Sequence, residues 1–380
     1  MATGSTACLT IDLGALESNY RVLQTVARES EVAAVVKADG YGIGWKPVIE
    51  TLWDAGCHRF FVARVDEGIG LRSLLPNAIV YVFDGAVPGT ENDLREHRLV
   101  PVINTIEQLR RWQQISVRSG SNSPLATALH VDTGMLRFGI TPGEAKQLAA
   151  EPAHLEGLDV QLVLSHLASA DEPSSDQAER QLKLFREVRS ALPIGLASLA
   201  NSAGLYRDPA FHFDVVRPGY AMFGGNPQPE LDNPNPMAPV VSLAAPVLQV
   251  RQAEPGDTVG YGATHTFDRP ARLATIGIGY ADGFLRSGSN RGWVGLDGQR
   301  LPVVGRVSMD LVTIDITGFS GEIGEGTMVE VIGPNRTIDD VATDAGTIGY
   351  EILTSLGRRY RRRYVGVRNS IHSKSRSGKS

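Results

Sequence analysis

Lys37 closes the apolar run EVAAVV and opens the segment Lys37-Ala-Asp-Gly-Tyr41. In an apolar pocket a lysine has its ammonium form disfavoured by desolvation, which leaves a neutral amine able to attack a carbonyl. That is the chemistry of a Schiff-base lysine, although a lysine standing alone at a strand end reads first as a surface residue starting a loop. Other polar residues follow other apolar runs in the same way. ALHV leads into His130-Val-Asp132-Thr-Gly134 with Arg137 beyond, VQLVLS into His166, LASLA into Asn201-Ser202, and FDVV into Arg217-Pro-Gly219. Taken singly, such residues are turn formers or helix caps. Brought to one rim they make a site: Ser202 and the Gly219 backbone suit a phosphate, Tyr41 adds a phenolic donor, and Lys37 takes the carbonyl. A phosphorylated aldehyde cofactor satisfies both ends.

The elements that would bring them to one rim are eight β-rich runs between residues 30 and 217: EVAAVV, RFFVA, IVYVF, VPVI, ALHV, VQLVLS, LASLA and FDVV. Helical stretches separate them. Leu16, Tyr20, Leu23 and Val26 share one face, as do Leu182, Phe185 and Val188 between Asp176 and Leu192. Strand and helix alternating eight times predict an α/β fold, a closed (β/α)₈ TIM-like barrel whose active site lies at the strand ends. After Gly224 the segment GNPQPELDNPNPMAP reads as a linker, and the extended runs VVSLAAPVLQV, ARLATIGIGY, VSMDLVTIDI and MVEVI predict a mostly β C-terminal domain. Asp297-Gly298 should make a type I′ hairpin turn. A helical piece around Tyr350 to Leu356 precedes a basic stretch. The expected division is a barrel over residues 12–236 and a β domain over 237–368, joined by an N-terminal strand at 7–11. A solvated, disordered tail is expected over 369–380.

At 380 residues, with 42% hydrophobic and 21% charged residues, the chain can bury two cores. A net charge of -5 has the wrong sign for a nucleic-acid binder, so a small-molecule partner is expected. Cys8 and Cys57 are the only cysteines, without metal-ligand or disulfide-scaffold spacing, so no metal is expected and a reducing compartment is. No apolar run has membrane-spanning length, and MATGSTACLTIDLG lacks the features of a signal peptide; the expectation is a cytoplasmic protein without a membrane partner.

The stretch AVVKADGYGIG resembles the cofactor-lysine motif of the alanine racemase family. The likeness continues in order through HVDTGMLRFG, LSHLASADE, ANSAG, VRPGYAMFG, GYGATHTF, GYADGF and GRVSMD, from CLTIDLGALESNYRVL nearly to YEILTSLGRRY. The resemblance implies a pyridoxal 5'-phosphate isomerase that interconverts L- and D-alanine and supplies D-alanine for peptidoglycan. It implies that Lys37 carries the cofactor and is the base on the D-alanine side, while Tyr261, from the partner subunit of a homodimer, is the base on the L-alanine side. Inversion at a carbon needs proton removal on one face and delivery on the other, and two flanking groups do this directly. The resemblance places Arg217 on the pyridine nitrogen and His166 against the cofactor ring, hydrogen-bonded toward Arg217. It assigns Tyr41, Ser202, Gly219, Tyr220 and Arg358 to cofactor binding. Arg137 would reach the cofactor's phenolic oxygen and the substrate carboxylate. The Met309 N–H would bind that carboxylate, with Asp310 beside it, and Tyr280 would narrow the entrance.

Three positions depart from the family pattern. His130 stands where many members have a carbamylated lysine that orients Arg137, so an anion, water or Asp132 is expected to take over. Arg358 stands near a phosphate-binding tyrosine of some members, and Ile43 replaces the histidine of KADAYGHG. Two other reactions compete with the racemase. A decarboxylase on a similar barrel would release the carboxylate that Arg137 and Met309 hold, and would benefit from an acid where Arg217 stands. A cofactor carrier built from the barrel alone would need neither GYGATHTF nor GRVSMD. A racemase of broader range, accepting serine or another small amino acid, remains compatible with the same motifs.

Overall fold

A computed structural model describes residues 6–118, 124–231 and 233–366. The tail expected at 369–380 lies outside these residues. The chain divides into two compact units, one of Asn19–Met237 and one of Met1–Ser18 with Ala238–Ser380. Strand β1 (Cys8–Asp12) belongs to the latter.

The first unit holds β2 (Glu31–Val32), β3 (Ala34–Val35), β4 (Arg59–Val62), β5 (Ile79–Val82) and β6 (Val100–Ile103), followed by β7 (Leu125–His130), β8 (Leu158–Leu164), β9 (Leu196–Ser198) and β10 (Val215–Val216). Strands β3 to β9 pair in parallel in chain order. The ring closes where β10 pairs in parallel with β2 and is tied to the β9 side by Asp214 N to Ala197 O at 3.1 Å and Arg217 N to Ala200 O at 2.9 Å. The expected (β/α)₈ barrel is present. EVAAVV, expected as one strand, is divided because its two halves serve different neighbours. Ala33 N bonds Val216 O at 2.9 Å, whereas Val36 N bonds Phe61 O at 2.9 Å; in a staggered barrel a strand overlaps its two neighbours over different lengths.

Parallel strands are covered on both faces and so read as continuous apolar runs. Phe60, Phe61, Val80, Tyr81, Val102, Leu129, Leu162 and Val163 are all fully buried. The intervening helices bury the residues that spacing predicts: Leu16, Tyr20 and Leu23 on helix Leu13–Ala27, and Leu182, Phe185 and Val188 on helix Gln177–Ala191.

The second unit adds β11 (Val241–Ala253), β12 (Thr258–Val259), β13 (His265–Thr266), β14 (Ala271–Ile276), β15 (Trp293–Leu296), β16 (Gln299–Pro302), β17 (Val312–Asp315), β18 (Met328–Ile332) and β19 (Arg361–Val365). The sheet order is β16-β15-β18-β11-β1-β19, with β14 between β11 and β17. Asp297 and Gly298 both have positive φ, 49° and 76°, the geometry of the expected type I′ turn between β15 and β16. VSMDLVTIDI is strand only from Val312, because Ser308 N bonds Leu311 O at 3.0 Å in a turn. The basic stretch is itself a strand, parallel to β1 with Cys8 opposite Arg361; charge along an edge strand discourages further pairing.

Candidate active site

Lys37 ends the first barrel run, and the chain then turns with four consecutive residues in the left-handed region: Ala38, Asp39, Gly40 and Tyr41 at φ 55°, 56°, 61° and 55°. Each non-glycine residue there costs ~1–2 kcal/mol, so the turn needs support. Gly42 N bonds Ala38 O and Gly44 N bonds Asp39 O, both at 2.8 Å. Glu67 accepts from Ala38 N at 2.7 Å and Asp39 Oδ1 accepts from Trp45 N at 3.1 Å. The Lys37 ammonium is half-buried, with Nζ 5.8 Å from the Phe83 ring centroid. Burial and then the nearby Arg137 charge lower its pKa from the ordinary lysine value, against the opposing pull of Glu67 and Asp84. A more available neutral amine follows.

Arg217 is 2% exposed and donates to Ser198 Oγ at 2.5 Å and Ser165 O at 2.6 Å. Its Nε is buried without a hydrogen-bond partner, and among the described residues no carboxylate pairs with it. Burial brings its pKa down to about 9, so it stays a charged donor at neutral pH. Its guanidinium spends its bonds on Ser198, Ser165 and Leu199 rather than on His166. The His166 imidazole lies well below its usual pKa through burial and the Arg217 and Arg137 charges, so it is neutral.

The third element is a cradle. Asn201 caps the short helix Ser202–Arg207 by accepting from Gly204 N at 2.9 Å. Ser202 Oγ accepts from Gly219 N at 3.0 Å and Ala221 N at 3.2 Å, which leaves its own proton free to donate. A Cβ on Gly219 would lie 2.1 Å from Tyr41 Oη, so the phenol of the first strand end occupies the space a side chain there would need. Tyr220 begins the buried turn Tyr220–Phe223 behind Gly219, and Tyr41 stacks on Phe223 at 4.6 Å. An amine of lowered basicity, a buried donor without a partner, and a hydroxyl beside a side-chain-free backbone fit a phosphorylated pyridine aldehyde at its carbonyl, nitrogen and phosphate.

In the second unit Tyr261 is 71% exposed on the turn joining β12 to β13, with Gly260 and Gly262 at φ 75° and 73°. Tyr280 and Met309 are also exposed, on loops joined by Tyr280 N to Ser308 O and Ala281 N to Met309 O, both 3.0 Å. Asp310 takes Arg359 Nη1 at 2.7 Å, and Arg359 Nε also meets Asp282 at 3.2 Å. Arg358 is exposed and makes no hydrogen bond or ion pair among the described residues. Nothing in the repeated arginines of GRRYRRR distinguishes Arg359 as the one that holds Asp310.

Residues 11–227 match the family model "Alanine racemase, N-terminal domain" and residues 240–364 match "Alanine racemase, C-terminal domain". The chain belongs to the alanine racemase family. The catabolic alanine racemase of Agrobacterium fabrum is 45% identical over 366 residues, covering 96% of this chain and 93% of that protein. The alanine racemase of Acidiphilium cryptum is 46% identical over 354 residues, covering 93% and 97%. Among solved structures, the alanine racemase from Bartonella henselae with covalently bound pyridoxal phosphate superposes with a TM-score of 0.91 at 38% identity, covering 95% of this chain and all of that one.

At the position where many alanine racemases carry a modified lysine, His130 is buried and its Nδ1 lies 2.8 Å from Asn104 Oδ1. Burial and the Arg217 charge push its pKa down to about 3. Asp132 does not orient Arg137: its Oδ1 accepts from Gly134 N, Met135 N and Leu136 N, and its Oδ2 from Leu136 N. The loop backbone has taken the carboxylate, and Arg137 forms no ion pair among the described residues. Asn104, absent from the candidates above, directly follows β6 as Lys37 follows its run, so the same strand-end pattern reaches it.

Proposed function

We propose that this protein interconverts L-alanine and D-alanine with pyridoxal 5'-phosphate as its cofactor, as a homodimer in the cytoplasm, and supplies D-alanine for peptidoglycan. The observation that carries the reading is Arg217, a buried guanidinium with an unpartnered Nε where a decarboxylase would gain from an acid. When bound, pyridoxal phosphate supplies the electron sink that makes the substrate α-proton removable. Arg217 would hold the pyridine nitrogen by a hydrogen bond and keep its own proton, because its pKa of about 9 is still well above neutrality, and this would leave that sink weak.

Lys37 holds the cofactor and moves the proton at its Nζ on the D-alanine side, and Tyr261 of a second copy moves the proton at its phenolic oxygen on the L-alanine side. Ser202, Gly219, Tyr41, Tyr220 and Arg358 hold the phosphate end, and His166 packs against the ring. Arg137 and the Met309 N–H hold the substrate carboxylate, Asp310 is kept beside them by Arg359, and Tyr280 limits side-chain size. Two cysteines without a disulfide suit a reducing compartment.

The test is incubation with L-alanine in D₂O and added cofactor, following optical rotation, α-deuterium and CO₂. Racemisation with deuterium incorporation is expected; CO₂ release without racemisation would sink the proposal. A panel including serine measures breadth, and Lys37→Ala should lose both racemisation and the absorbance of covalently held cofactor.

A further inference from the structure

We infer that Asn104 locks the buried His130 in the Nδ1–H tautomer, so that Nε2 is left bare as an acceptor at the end of β7. The geometry starts at the amide. Asn104 Nδ2 donates to Phe83 O at 2.8 Å and Val102 O at 2.9 Å. Both partners are carbonyls, which only accept, so an inverted amide would set oxygen against two oxygens. Asn104 Oδ1 is therefore the atom that faces His130 Nδ1 at 2.8 Å, and an oxygen acceptor there demands a proton on Nδ1.

The amide is held from behind. Asn104 N donates to Gln108 Oε1 at 2.8 Å, and Gln108 Nε2 donates to Asp84 O at 2.9 Å. Gly85 makes room, since a Cβ there would lie 2.4 Å from Gln108 Oε1. Register places the pair side by side, with Val102 opposite Ala128 and Ile103 opposite Leu129, so the next residue pair along is Asn104 and the strand end at His130.

A neutral imidazole with its proton on Nδ1 presents a lone pair on Nε2, and Nε2 has no hydrogen-bond partner among the described residues. The charged and titratable groups acting on this ring are Arg217, Arg137 and Asp132, with His166 close enough to feel it. The two arginines oppose protonation. Asn104 is on this account the residue that positions His130 and fixes which of its nitrogens carries the proton.

The first measurement is a long-range ¹H–¹⁵N correlation on ¹⁵N-histidine-labelled holoenzyme at neutral pH, with the His130 signals assigned by their loss in His130→Gln. A protonated-type Nδ1 and a bare-type Nε2 are expected. The opposite tautomer, or an imidazolium, overturns the inference whatever the substrate is. The second records the same spectrum for Asn104→Asp, whose carboxylate favours the doubly protonated ring. Both ring nitrogens should become protonated-type at a higher pH than in the parent. A variant whose ring titrates as the parent's does overturns the lock. If the parent enzyme does not racemise alanine, the proposed function fails, and the tautomer is still decided by the spectrum.

Discussion

Replacing Gly219 by alanine puts one methyl group where the structure has no room for it. The added Cβ would lie 2.1 Å from Tyr41 Oη, 2.8 Å from Cζ and 3.3 Å from Cε2, whereas ordinary contact begins near ~3.5 Å. The phenol must therefore retreat by more than 1 Å, and it has nowhere to go: Tyr41 is 6% exposed and stacked on Phe223 at 4.6 Å and 25°. Overpacking of this kind costs ~1–3 kcal/mol. The same shift disturbs the 3.0 Å bond from Gly219 N to Ser202 Oγ, so the loss should fall on cofactor binding as well as on folding. We expect the dissociation constant for pyridoxal phosphate to rise about 5- to 150-fold, and the apoprotein melting temperature to fall by roughly 2–4 °C per kcal/mol. Absorbance titration of the apoprotein and thermal unfolding measure both. Gly143→Ala is the control, because its Cβ would meet only Thr141 Oγ1 at 3.8 Å, and it should lose neither. A Gly219→Ala protein that binds cofactor within twofold of the parent and melts with it would refute the cradle argument.

Tyr261→Phe should lower alanine racemisation by roughly 10²–10⁴-fold while D-alanine still exchanges its α-proton through Lys37, as deuterium incorporation from each enantiomer will show. Acid should destabilise the apoprotein through His130, whose folded pKa of about 3 lies below its unfolded value of ~6.5. The unfolded chain then binds the extra proton, stability is lost as pH falls from 6.5 toward 3, and the His130 share at pH 5 is about 2 kcal/mol relative to pH 7. His166 adds in the same direction, and urea unfolding of His130→Gln at the two pH values should show a shallower loss. Cys57 is fully buried with its thiol pushed up to about 12 by burial, so a thiol reagent should modify Cys8 in the native protein and Cys57 only after denaturation.

The barrel was legible because its strands are buried on both faces, and a run such as RFFV or IVYV carries that burial in its composition. Lys37, His166, Ser202 and Arg217 were legible because they directly follow such runs, and the ordered motifs placed Tyr261, Tyr280 and Met309 in the second unit. These are local signals, and a linear chain contains them. Sequence periodicity and motif order thus determined which residues are candidates for the site.

Tertiary structure decided what each of them is bonded to. Asp132 and Asn104 are equally plausible polar strand ends in the sequence, yet the first is consumed by the amides of Gly134 to Leu136 and the second faces His130 across the β6–β7 register. Arg358 and Arg359 are neighbours of one type, and only the fold gives Arg359 the two carboxylates of Asp282 and Asp310. EVAAVV is one run in sequence and two strands in the barrel, because its halves bond to strands that lie far apart in the chain. A residue's type and local pattern set what it can donate or accept; which partner stands within 3 Å depends on strand stagger and loop path, and these are properties of the whole closed barrel.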